Sequence, residues 1–150
     1  MKKIITFLIT FLFLTNCGYT PIYSSKNFDF RLEKITSLKS DRLNSKIQNK
    51  LQGFSNQESK RIISLEIDAE KKINTLAKNS KGDASRYEMI IKIKLKTIYD
   101  QNQKMSQSFQ EKFNYNTNPN KFDLNRYEKE IENLLIDKNI DRIIVYLSKI

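Results

Sequence analysis

The chain has 150 residues, 27 of them Lys or Arg against 17 Asp or Glu, a formal net charge of +10, with no histidine and one cysteine. The missing histidine removes the commonest general base and metal ligand, and three scattered glycines, Gly18, Gly53 and Gly82, make no phosphate-cradling loop. This length suits one ordinary domain that needs neither metal nor disulfide, and no catalytic residues, cofactor or metal site are expected.

Met1-Lys2-Lys3 opens the chain, and the run from Ile4 to Leu14 is apolar except at Thr6 and Thr10. A positive cap followed by about 7–15 apolar residues is the layout of a secretory signal. The run is too short for a membrane span, which needs about 20 apolar residues. Leu14-Thr15-Asn16-Cys17-Gly18 follows and resembles the bacterial lipobox, with Cys17 as the lipidated residue and Asn16 in place of the usual Gly, Ala or Ser. The expected organisation is a signal at 1–16, a lipidated tether at 17–27, and a single periplasmic α+β domain at 28–150. Loss of Lys2 and Lys3 with the signal leaves 25 basic residues against 17 acidic ones. Export and the scattering of the lysines argue against a nucleic-acid partner. Anionic lipid head groups or phosphorylated glycolipid are the natural targets of that charge, and lysines filling solvated faces are the alternative.

Phe28, Phe30 and Leu32 alternate with Asp29, Arg31 and Glu33, which predicts a first strand with one buried face. Ser40 is the expected N-cap of a helix that carries Leu43, Ile47 and Leu51 as an apolar stripe and ends at Gly53. Residues 61–73 alternate Ile63, Leu65, Ile67 and Ala69 with polar neighbours, and 85–99 alternate Tyr87, Met89, Ile91, Ile93 and Leu95 with charged ones. Both stretches predict strands. Lys71–Asp83 is expected to lie between them and to end in a basic tip, Lys78-Asn79-Ser80-Lys81-Gly82-Asp83. Asp100–Gln103 predicts a second turn, followed by a strand with Met105, Phe109, Phe113 and Tyr115. Asn118-Pro119-Asn120 breaks the sheet, and from about Asp123 onward Leu124, Tyr127, Ile131, Leu134 and Leu135 recur at helical spacing, a stripe continued by Ile140, Ile143, Ile144 and Leu147. The predicted fold is α+β, a mainly antiparallel four-stranded sheet with two helices on one face, in the order β-α-β-β-β-α. Its other face is expected to be polar, either solvated or covered by a partner.

Cys17-Gly18-Tyr19-Thr20-Pro21-Ile22-Tyr23 and Ala84-Ser85-Arg86-Tyr87, in this order of elements, resemble the LPS-assembly lipoprotein LptE family in its divergent alphaproteobacterial forms. The resemblance implies a lipoprotein on the periplasmic side of the outer membrane that enters the lumen of the LptD β-barrel. It would support barrel assembly and lipopolysaccharide delivery to the outer leaflet by binding, with no bond made or broken. On that reading Lys78 and Lys81, with Arg86 near the start of the third strand, are candidate contacts to lipopolysaccharide or to the barrel wall. A solvated basic loop is the alternative for these residues. An auxiliary lipoprotein of an ABC-type transport system is the alternative function, and a lipid-anchored hydrolase a remote third.

Overall fold

The structure, a computed structural model, describes residues 28–99 and 103–150. The expected signal, Cys17, the tether and most of the Asp100–Gln103 turn lie outside the described residues. The elements are β1 (Arg31–Ser37), α1 (Arg42–Gln52), β2 (Ile62–Lys78), β3 (Ala84–Tyr99), β4 (Gln103–Asn116) and α2 (Lys121–Leu147). They form one four-stranded sheet in the order β1-β2-β3-β4. The β1-β2 pair is parallel because α1 carries the chain back across the sheet, and the other pairs are antiparallel. The predicted α+β class and element order match this architecture.

Period-two alternation places Ile63, Leu65, Ile67 and Ala69 of β2 and Met89, Ile91, Ile93 and Leu95 of β3 under the helices, and all are buried. Ile47 and Leu51 from α1 and Ile131, Leu135, Ile140, Ile143, Ile144 and Leu147 from α2 close this core. Leu134 and Tyr127, expected in the same stripe, remain 42% and 43% exposed, whereas Ile136 is fully buried in their place. Arg61 fastens the last turn of α2 beside the start of β2. Its Nη1 donates to the Ile150 carbonyl and its Nη2 to the Leu147 carbonyl, taking up groups a helix end leaves unpaired.

Three local expectations need correction, and a fourth holds in a right-handed backbone geometry. Phe28 and Phe30 precede β1 and do not lie within it; they pack in an aromatic group with Phe54, and a register shift between Leu32 and Lys34 turns Ile35 into the core. The N-cap of α1 is Asp41 and not Ser40, because the Asp41 carboxylate accepts from the Asn44 N–H at 2.8 Å. Gly53 does end α1, but at φ −66° in the right-handed region, so no left-handed turn demands it. Finally, β2 runs to Lys78 and not to residue 73, since its pairing with β3 continues to Lys78 opposite Ala84. The connection to β3 is therefore far shorter than Lys71–Asp83. Beyond Ala69 the residues of β2 are mostly exposed, so hydrophobic alternation could not report a strand there.

Candidate functional site

The β2-β3 hairpin turn is built around one side chain. Asn79 Oδ1 accepts from the Lys81 and Asp83 N–H groups, both at 2.9 Å, while its own N–H donates to the Asp83 carbonyl. Gly82 takes φ +87°, a left-handed conformation that glycine adopts without a Cβ penalty. This frame places Lys78 at the last pair of β2, Lys81 in the turn, and Arg86 two residues into β3, opposite Ala77 and Asn116. All three cations are exposed and gather at one end of the sheet, and among the described residues none has an ion-pair partner. The tip is a hydrogen-bonded turn carrying positive charge, suited to an anion or to a polar wall.

Behind the tip, Tyr87 stacks on Tyr115 with ring centroids 5.5 Å apart, and Tyr127 meets Tyr115 edge-on at 6.3 Å. The Tyr115 hydroxyl donates to Glu128 Oε1 at 2.7 Å. Burial, and then the neighbouring Glu128 carboxylate, push this phenol well above its ordinary value, so it stays a neutral donor.

The sheet face away from the helices is a charge ladder. Register sets Glu66 opposite Lys96, Asp68 opposite Lys94 and Glu70 opposite Lys92, while β4 presents Lys96 with Ser106, Lys94 with Ser108 and Lys92 with Gln110. An acidic column thus flanks a basic one, and a neutral hydroxyl and amide column follows. Lys96 pairs with Glu66 at 3.2 Å, Asp68 holds Lys39 at 3.0 Å and Lys94 at 3.9 Å, and Glu88 holds Lys112 at 3.3 Å. Pairs of this kind, each with an exposed ammonium, contribute roughly 0–1 kcal/mol, so their product is surface character more than stability. The face offers hydrogen-bonding and charged groups, with Ile62, Ile90 and Ile98 interspersed. A shallow depression of about 450 Å³ lies over it, lined by Leu38, Asp68, Lys92, Lys94, Ser106 and Ser108 among others.

The sequence reading named the two sides of β3 but missed the ladder. Its signal is present: two alternating strands joined by a turn carry polar sets of opposite sign. It becomes readable only once the register is known. The buried polar residues Asn44, Thr97 and Asn139 were also missed. The Asn44 side chain lies across from Ala69, donating to its carbonyl at 3.2 Å and accepting from its N–H at 2.8 Å.

No helix of the described residues is long and apolar enough to cross a membrane. No protein-family model matches the chain, and no curated protein matches it. Solved structures do. Rare lipoprotein B from Shewanella oneidensis matches with a TM-score of 0.57 at 13% identity, over 80% of this chain and 93% of that one. A lipoprotein B from Nitrosomonas europaea matches with a TM-score of 0.58 at 13% identity, over 81% of this chain and 86% of that one. A minor lipoprotein from Acinetobacter baumannii matches with a TM-score of 0.57 at 13% identity, over 81% of this chain and 92% of that one. At this identity the likeness is one of fold, and the fold this chain shares is that of small bacterial lipoproteins.

Proposed function

We propose that the chain is an outer-membrane lipoprotein of the LptE type, anchored through Cys17, that partners an LptD-type β-barrel in delivering lipopolysaccharide to the outer leaflet. The observation that carries this reading is the fold, a sheet covered on one face by two helices, which the chain shares with solved lipoproteins over most of both lengths. The signal-like N-terminus ending at Cys17 supplies the anchor. The open face of the sheet supports the partner, because a domain seated in a polar barrel lumen presents hydrogen-bonding and charged groups and not a broad apolar patch. The domain works by filling and binding. In this reading Lys78, Lys81 and Arg86 at the hairpin tip meet the phosphates of lipopolysaccharide or the barrel wall.

Two measurements test it. Extraction of the full chain in mild detergent, through a C-terminal tag, is expected to bring down one large outer-membrane β-barrel protein. Recovery of an inner-membrane transporter in its place would overturn the reading. Exchanging Lys78 and Lys81 for Glu is expected to weaken binding to purified lipopolysaccharide, and unchanged affinity would remove the tip from the site.

A further inference from the structure

The two edges of the sheet are treated differently. Along and around β1 three outward backbone groups are taken up by the protein itself. The Leu32 N–H donates to Ser55 Oγ at 2.8 Å, the Ile35 carbonyl accepts from Gln48 Nε2 at 2.9 Å, and the Phe30 carbonyl accepts from the Asn56 N–H. With a register shift as well, this short edge is closed to further pairing.

The β4 edge is open along a 14-residue strand. The Thr117 N–H donates to the Ser85 carbonyl, which continues the β3-β4 register and shows that odd-numbered residues of β4 bond to β3. The even-numbered residues from Lys104 to Asn116 therefore turn their N–H and C=O groups outward. Of these groups, the Gln110 carbonyl alone has a partner among the described residues, Arg142 Nη1 at 3.3 Å. Beside this edge, on the helix side, lies a groove of about 360 Å³ between β4 and α2. It is lined by Phe109, Val145 and Tyr146, with Asp141, Arg142 and Lys149 at its border, and Val145 is 43% exposed. An open strand edge next to an apolar groove under a helix is the arrangement that binds an extended peptide, the backbone supplying affinity and the groove taking alternate side chains.

We propose that β4 and the β4-α2 groove take an extended segment of the partner β-barrel protein as a fifth strand. Its helix-side residues would enter the Phe109–Val145–Tyr146 groove, and its polar residues would continue the open face. The segment lies outside the closed barrel wall, because strands within a closed barrel have no free edge. Charge selects its character. Lys112 is held by Glu88 and Arg142 by Glu111 at 2.7 Å, whereas Lys104 on β4 and Lys149 at the groove have no ion-pair partner among the described residues, so an acidic or neutral segment fits. A second copy of a chain with net charge +10 fits less well. The inference rests on the barrel partnership proposed above and adds to it the surface and the mode of contact.

Proline at an even position of β4 tests it, since it removes an outward N–H and leaves the β3 ladder intact. Full-length Ser108→Pro, and separately Val145→Glu, are expected to keep the melting temperature while recovery of the barrel falls by about tenfold or more. Barrel recovery unchanged in both variants overturns the fifth strand and leaves the partnership standing. Failure of the unaltered chain to bring down a barrel overturns both. Hydrogen exchange gives a second readout: amides of even-numbered β4 residues should exchange freely in the isolated protein and become protected in the complex. Protection in the isolated protein overturns the proposal too, pointing to the chain's own residues 17–27 if independent of concentration and to a second copy if not.

Discussion

Asn44 gives the sharpest test of how this sheet is held. β1 ends at Ser37, and its last bond to β2 is from the Leu38 N–H to the Ile67 carbonyl. The next β2 residue facing that side, Ala69, is buried and among the described residues has no strand beside it. Asn44 projects from the first turn of α1 and fills the gap, its amide accepting from the Ala69 N–H and donating to the Ala69 carbonyl as a neighbouring strand would. The same amide donates to the Asp41 carboxylate, tying the helix cap to the sheet. Asn44→Ala leaves two buried backbone groups without partners, at about 1–3 kcal/mol each, so a loss of about 2–6 kcal/mol is expected. For a domain of this size that lowers the melting temperature by roughly 10 °C. Asn44→Leu, which excludes water from the gap, should cost at least as much. Asn44→Asp would set a carboxylate against the Ala69 carbonyl and Asp41. Burial and like charge raise its folded pKa above the ordinary value, so its deficit should narrow as the pH falls toward about 4 and stay constant below it. Urea unfolding followed by circular dichroism measures all three. A loss below about 0.5 kcal/mol for Asn44→Leu would refute the argument that this amide stands in for a strand.

Glu132 on α2 pairs with Lys46 of α1 at 3.3 Å and Lys71 of β2 at 2.7 Å. Burial alone would raise its pKa, but the two ammonium groups outweigh burial and hold it below the usual carboxylate range. A depressed folded pKa contributes stability present above the ordinary value and lost as pH falls through the folded one. Glu132→Gln should cost about 1–2 kcal/mol at neutral pH, between the exposed and buried limits, and the difference should vanish once Glu132 is protonated. A deficit that persists at pH 2 would show packing and not charge at work. Thr97 is fully buried and its hydroxyl has no partner among the described residues, so Thr97→Val should raise stability by about 0.5–1.5 kcal/mol. A loss in the urea midpoint would contradict this. Asn139 donates to the Ile91 and Leu135 carbonyls while its Oδ1 has no partner among the described residues, so Asn139→Leu should change stability by less than about 1 kcal/mol, unlike Asn44→Leu.

Much of this molecule is written along the chain. Alternation alone located Ile63–Ala69 and Met89–Leu95 on the buried face, because a pleated strand over helices imposes period two on its own residues. Helical spacing likewise marked Ile47, Leu51 and most of the α2 stripe. The basic tip was legible too, since Asn79 and Gly82 build its turn from neighbours in sequence. What the sequence could not decide was anything set by distant partners. Leu134 is exposed and Ile136 buried because the angle at which α2 crosses the sheet chooses between them, and periodicity does not know that angle. The outer half of β2 is a strand through pairing with β3 and not through burial. Asn44 reads as an ordinary polar helix residue until the end of β1 leaves Ala69 unpaired. The same holds for β4, whose residues look alike on paper. Strand order and register made it an edge, and the packing of α2 beside it made that edge a groove, because which backbone groups remain unpaired is a property of the assembled sheet.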